Sequence, residues 1–221
     1  MVKNIADTKI LENLVKKVLE LGADHAAAIP VSKIETDAGF RSLCEQNTCG
    51  RYGKCWTCPP DVGDIDTLMK TIRTFDYAVV YQTIGMLEDS YDIEGMEEAA
   101  KKHNLLIRRM AEAVNEDSFV RILHLGAGGC NICPVCARVE NHPCRFPDMA
   151  ISSLEAHGIN VSRLAVGCGM GIIYQETNTR EKRKDDSGTR EQKRSKPIEE
   201  KESFRWLNEN PNPPAMLGRI E

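Results

Sequence analysis

Aromatic side chains are scarce in this chain, with phenylalanine, tryptophan and tyrosine together making up 5% of 221 residues. That excludes a core built on stacked rings and leaves packing to aliphatic side chains, within a hydrophobic fraction of 41%. Long apolar runs are also missing. No stretch approaches the roughly 18 consecutive apolar residues that span a bilayer, so no membrane association of that kind is expected. The opening run MVKNIADTKILENLVKKVLELG holds neither an apolar h-region nor a small-residue cleavage site, which argues against a secretory signal and for a cytoplasmic protein. Charge of one sign is not in excess. A formal net charge of −4 gives the body no basic footprint for nucleic acid. The common catalytic signatures G-x-S-x-G, H-E-x-x-H and the P-loop are absent, and Gly126-Ala127-Gly128-Gly129 does not fit G-x-G-x-x-G.

Cysteine is what the chain has in excess, at nine residues. In a reducing compartment, clustered cysteines more often hold metal than form disulfides. A chain of this length can bury a proper core without metal staples, so the thiols point to chemistry rather than to rescue of a small fold.

Body and tail differ in composition. From Arg180 to Arg205, 17 of 26 residues are charged, ten positive and seven negative, and only Ile198 and Phe204 are apolar. Such a segment cannot bury enough surface to offset the entropy of ordering, so residues 176–221 are expected to be a charged, disordered tail and residues 1–175 the folded domain. Within the domain, Ile10, Leu11, Leu14, Val15, Val18, Leu19 and Leu21 recur at helical spacing, with Gly22 placed to stop the helix. Ala26 to Ile34 reads as a strand. Asp64 can cap a helix running to about Thr74, and Tyr77 to Tyr81 reads as a buried strand. A long helix from about Met96 to Val114 follows, marked by Ala99, Leu105, Leu106, Ile107, Met110 and Ala111, and Phe119 to Leu125 reads as a strand. Pro147 suits the first turn of a helix reaching Ala156. A short helix at Val161 to Val166 and a strand at Gly171 to Tyr174 complete the pattern. The alternation predicts an α/β fold, a small sheet covered by helices with two cysteine-rich metal-binding loops.

Eight of the nine cysteines fall in two windows. Cys44, Cys49, Cys55 and Cys58 are written C-x4-C-x5-C-x2-C-P-P. Cys130, Cys133, Cys136 and Cys144 are written C-x2-C-x2-C-x7-C-R-F-P. In the second window, three thiols at two-residue gaps surround one point of a tight loop and a fourth closes the set, which suits a [4Fe–4S] cluster. Structural zinc is the alternative, although zinc favours two separated C-x2-C knuckles. The first window contains just one such knuckle, Cys55 and Cys58, and zinc competes more strongly there. Arg41, Arg51 and Lys54 flank the first window, and Arg138 and Arg145 the second. These cations can offset the negative charge of four thiolates around a metal, or be simply solvated. Cys168 stands apart and reads as a packed core thiol, with a redox thiol as the alternative. His142, between Cys136 and Cys144, is a further candidate to bind metal or to hydrogen-bond sulfur.

The runs from Arg41 to Pro60, Gly128 to Cys136, Pro143 to Pro147 and Ser153 to Val161 resemble the family of predicted metal-binding proteins called domain of unknown function 2284. The resemblance implies metal or iron–sulfur binding by the eight cysteines, supplies no agreed reaction, and implies a hydrophobic strand after the last helix, where this chain departs at about Gln175 into the charged tail. Lys196 to Leu207 is in turn similar to a segment of insertion-sequence transposases. That segment is too short to catalyse transposition and reads as a fusion remnant or as an unrelated charged tail.

These readings converge on a metal-binding protein with one or two [4Fe–4S] clusters, acting in electron transfer with a separate redox protein or enzyme. A zinc-stabilised interaction module and a metal-handling protein are the alternatives. Were Cys144 not a ligand, an open iron would favour an enzyme.

Overall fold

The computed structural model describes residues 5–89, 91–115, 121–171 and 216–220. Helix α1 (Ile5–Glu20) leads into strand β1 (His25–Pro30) through Gly22, whose φ of +112° suits glycine at a helix exit. Leu14 and Val18, four residues apart, face inward, whereas Ile10 and Leu19, counted on the apolar stripe, are 41% and 42% exposed. The strand expected over Ala26 to Ile34 ends at Pro30. A 3-10 turn, Val31–Lys33, takes over there and buries Val31.

Helix α2 (Phe40–Glu45) opens the first cysteine window, and α3 (Ile65–Arg73) follows it. The predicted cap holds, because Asp64 Oδ1 accepts the Thr67 N–H at 2.9 Å. Strand β2 (Tyr77–Gln82) pairs antiparallel with β1, from His25 opposite Gln82 to Pro30 opposite Tyr77. Its side chains alternate between two cores. Ala78 and Val80 join Ile72, Phe75, Leu154, Ile159 and Leu164 on one face, while Val79 and Tyr81 join Leu14, Val18, Leu106 and Met110 on the other. The strand is therefore covered on both sides, with α1 and α4 (Ile93–Asn115) over one face and α3 and α5 (Val161–Gly167) over the other. This is the expected α/β architecture of a small sheet between helices.

The remaining strands are short. β3 (Leu125–Gly126) pairs in parallel with β4 (Ser152–Ser153), and β5 (Met216–Ile220) lies between β2 and β3, antiparallel to both. The sheet order is β1-β2-β5-β3-β4.

Three further expectations are corrected. The strand read over Phe119 to Leu125 is confined to Leu125–Gly126 within the described residues; residues 121–124 make no ladder pairing, and 119–120 lie outside the description. The helix read from Pro147 to Ala156 is broken into a 3-10 turn at Pro147–Met149, strand β4, and a second 3-10 turn at Glu155–His157. Pairing of Ser152 with Leu125 requires extended backbone there, and Ala150 already has ψ near 115°. Met216–Ile220, read as part of a disordered tail, forms a strand because β2 and β3 offer it ladder partners on both sides. Residues 172–174 of the strand read at Gly171 to Tyr174, the charged run and the transposase-like stretch lie outside the described residues.

Candidate metal centre

Cys44 sits in the last turn of α2, and the chain then unwinds through a series of tight turns. Asn47 adopts a left-handed conformation, and its Oδ1 accepts the Tyr52 N–H at 3.0 Å. Gly53 N–H donates to the Pro59 carbonyl at 2.8 Å, closing a loop around Cys55 and Cys58. The Cys58 N–H donates to the Cys55 carbonyl at 3.0 Å, which folds the C-x2-C segment into a knuckle. Cys55 and Cys58 are buried, at 1% and 7% exposure, whereas Cys49 is exposed.

The second window leaves β3 through Gly128 and Gly129. Its four cysteines, Cys130, Cys133, Cys136 and Cys144, line one small cavity together with Arg145 and Phe146. Cys136 occupies the cap position of a 3-10 turn, Ala137–Glu140, with extended backbone.

The two windows, some 80 residues apart in sequence, are clasped together. Arg51 Nη1 donates to the Cys130 carbonyl at 3.0 Å, and its Nη2 reaches Asn131 Oδ1. Trp56 Nε1 donates to the His142 carbonyl at 2.9 Å. Arg138 lies 5.1 Å from the Trp56 ring centroid, and its Nε stands 2.8 Å from Asp61 Oδ2, an ion pair that is close but not aligned as a hydrogen bond. Ser152 Oγ of β4 donates to the Thr57 carbonyl at 2.9 Å, tying the knuckle to the sheet. Gly129 permits the closest approach: a Cβ there would stand 3.1 Å from Cys58 Sγ and 3.5 Å from Arg51 Cδ.

The thiols act on one another's protonation. The Cys55 thiol is pulled down to about 5, chiefly by its hydrogen bond with the Cys58 thiol, with burial opposing and with further bonds from Thr57 and Cys136. The Thr57 hydroxyl stands 3.4 Å from Cys55 Sγ. The Cys55 bond also pushes Cys58 up, reinforced by burial and by the charges of Cys55 and Cys49. Burial raises Cys130, and the charges of Cys55 and Cys144 add to it. Burial likewise raises Cys44, with Glu155 and Cys49 adding and Arg41 opposing.

Among the described residues, no three Cys, His, Asp or Glu side chains stand in a finished ion-binding arrangement. The donor set nevertheless suits a thiophilic metal, because sulfur is a soft ligand and four thiols of the second window share one cavity.

The flanking cations take different roles. Arg51, Arg138 and Arg145 are engaged in contacts, Arg145 Nη1 donating to the Val135 carbonyl at 2.9 Å. Arg41 Nη2 donates to the Gly63 carbonyl at 3.0 Å, and Lys54 is exposed. The His142 ring is exposed and faces Glu140 at 3.6 Å, so its carbonyl rather than its ring serves the clasp. Cys168 packs against the core beside α5, and burial raises its thiol.

Sequence reasoning missed Trp56, Thr57 and Glu155. A tryptophan and a hydroxyl between two knuckle cysteines, in a chain with just two tryptophans, was a usable signal for the first two. Glu155 had none. Burial raises its carboxyl, the Gly128 N–H bonds to it, and its Oε2 is buried without a partner.

A helix-covered sheet with two cysteine-bearing loops clasped to each other defines a cysteine-rich α/β protein. The chain belongs to the family described as predicted metal-binding protein (DUF2284), whose model matches residues 27–184, past the point near Gln175 where sequence reading ended the domain. No curated protein and no solved structure matches the chain. Among the described residues, no helix is long and apolar enough to cross a membrane.

Proposed function

We propose that this metal-binding protein holds [4Fe–4S] clusters through Cys44, Cys49, Cys55 and Cys58 and through Cys130, Cys133, Cys136 and Cys144, and that it acts in electron transfer with a redox protein or enzyme in the cytoplasm. The observation that carries the reading is the shared cavity of the four second-window thiols, three of them at two-residue gaps on one tight loop. A four-thiolate cluster supplies one-electron transfer and leaves no iron open for Lewis-acid work.

The chain's own groups serve that role in distinct ways. Arg51 holds the two loops in register through the Cys130 carbonyl and adds positive charge beside Cys58. Thr57 hydrogen-bonds Cys55, and such bonds to ligand sulfur tune potential. The Cys55–Cys58 knuckle, closed by its N–H to carbonyl bond, favours zinc as the second reading, that of a zinc-stabilised interaction module or a metal-handling protein.

Anaerobic purification with iron, sulfide and zinc analysis, followed by electron paramagnetic resonance after reduction, tests the proposal. Brown protein with equal iron and sulfide and a reducible signal is expected. Colourless protein with two zincs and no sulfide would overturn the iron–sulfur reading.

A further inference from the structure

A small cleft lies between α4 and the turn that carries β3 into the second cysteine window. Cys130 lines it, so whatever fills the cleft lies against that window. Helix α4 supplies Asn104, Ile107 and Arg108 to the wall. Residues 104 and 108 are four apart, which puts the two polar side chains on one face of the helix. The remaining walls include the main chain of Gly126 to Gly129 and the side chains of Ile132 and Ile151.

The fold does not use up the polar groups of this cleft. Arg108 Nη2 donates to the Asn131 carbonyl at 3.2 Å, which ties the guanidinium to the loop. Its Nε and Nη1 have no partner among the described residues, and neither has the half-buried side chain of Asn104. Spare donors that line a concave surface are what a polar ligand group satisfies. No Asp or Glu lines the cleft, so Arg108 is its one charged side chain and an anion entering meets no repulsion from the walls. The isoleucines offer apolar contact for a short carbon chain.

We infer that this cleft binds a small organic monoanion, a short carboxylate, with its oxygens on Arg108 and Asn104 and its carbon chain on Ile107, Ile132 and Ile151. One cation matches one negative charge, and two donor side chains suit the two oxygens. The inference deepens the reading above by giving the second-window metal centre a substrate class. It rests on that reading for the role of the ligand and not for its binding.

Saturation-transfer NMR on the full chain, purified anaerobically, tests the site with propionate as the probe and propionamide as its neutral counterpart. Propionate is expected to receive saturation, and propionamide to bind at least about tenfold more weakly because the charge-assisted bonds are lost. Arg108→Gln is expected to weaken propionate by about tenfold. Arg109→Gln, an equal loss of charge at an exposed neighbour outside the cleft, is expected to leave affinity unchanged. Equal binding of propionate and propionamide, equal weakening by the two arginine variants, or no saturation transfer at all would overturn the site. Iron and sulfide content reports separately on the cluster. Propionate binding by protein that holds no iron would keep the site and remove the cluster reading, and brown protein that ignores propionate would do the reverse. The propionamide comparison needs wild type alone and decides the question even if a variant does not fold.

Discussion

The two ends of this molecule are built on different physics. The helix-covered sheet is organised by apolar side chains meeting on both faces of β2, with Val79, Val80 and Tyr81 fully buried. The cysteine end has little regular structure besides α2 and a 3-10 turn, and its connections are side chains reaching backbone carbonyls or opposite charges. Hydrophobic burial is indifferent to metal, whereas a loop region held by a few polar clasps and eight thiols gains order from whatever those thiols bind. The difference predicts that metal removal loosens the cysteine end and leaves the sheet intact, to be read by hydrogen exchange on the loaded and stripped protein.

The largest effect that separates the two regions comes from the core. Leu154 is fully buried between β2, α3 and α5. Leu154→Ala should cost about 2–5 kcal/mol in chemical denaturation, from lost transfer free energy and the cavity left behind. The cost should be the same with and without metal. A cost that disappears in the stripped protein would show that the body leans on the cysteine end after all.

Acid should probe the body in a second way. His103, on the inner face of α4, is 4% exposed, bonded to Thr83 Oγ1 at 2.8 Å, and burial lowers its pKa to about 4. His124, bonded to the Tyr81 hydroxyl at 2.9 Å, is lowered similarly by burial and by His103. Facing groups on the neighbouring elements are Tyr81 and Thr83 of the β2 segment. Because the folded values lie below the ordinary one near 6.5, the unfolded chain takes up protons first as pH falls. The stabilisation is therefore complete above about pH 6.5 and is lost down to about pH 4, amounting to about 3 kcal/mol for His103. Unfolding midpoints at pH 7 and 4.5 measure it. His103→Gln should flatten the slope, and an unchanged slope would refute the assignment.

These same regions explain what was legible in advance. Tyr77–Gln82 and Ile93–Asn115 declare themselves through local periodicity, and the Asp64 cap through one residue before an apolar run. Their determinants lie within a dozen residues of one another. Ser152–Ser153 and Met216–Ile220 are strands only because distant backbone pairs with them, so a helix starting at Pro147 and a formless tail were the natural local readings. At the cysteine end, the clustering of the thiols into two windows was plain from spacing. Their relative placement was not, since Arg51 meets Cys130 across 79 residues and Trp56 meets His142 across 86. No periodicity reports contacts of that range.

Arg51 offers the next test, now on the polar side of the comparison. Its guanidinium spans the Cys130 carbonyl and the Asn131 side chain, so Arg51→Ala should cost about 1–2 kcal/mol and reduce metal affinity several-fold. Lysine carries the charge without the fork, and Arg51→Lys should recover little of the affinity. Full recovery would mean that charge beside Cys58, rather than the clasp, is what the arginine supplies.

Ser152 sharpens the comparison most, although its effect is the smallest. Its hydroxyl belongs to β4 in the body, and its acceptor is the Thr57 carbonyl inside the knuckle, so this one bond crosses from one region to the other. Ser152→Ala removes a donor and leaves a carbonyl that nearby water can satisfy only if the site opens, for a cost of about 1 kcal/mol. The location of that cost is what matters. If the body is autonomous, the metal-free protein should unfold at nearly its wild-type midpoint and the loss should fall on metal affinity, by about fivefold, because the knuckle carrying Cys55 and Cys58 is no longer anchored when metal arrives. An equal drop in metal-free stability with unchanged affinity would instead make the knuckle an integral part of the sheet, and the division between the two ends would fail at this hydroxyl.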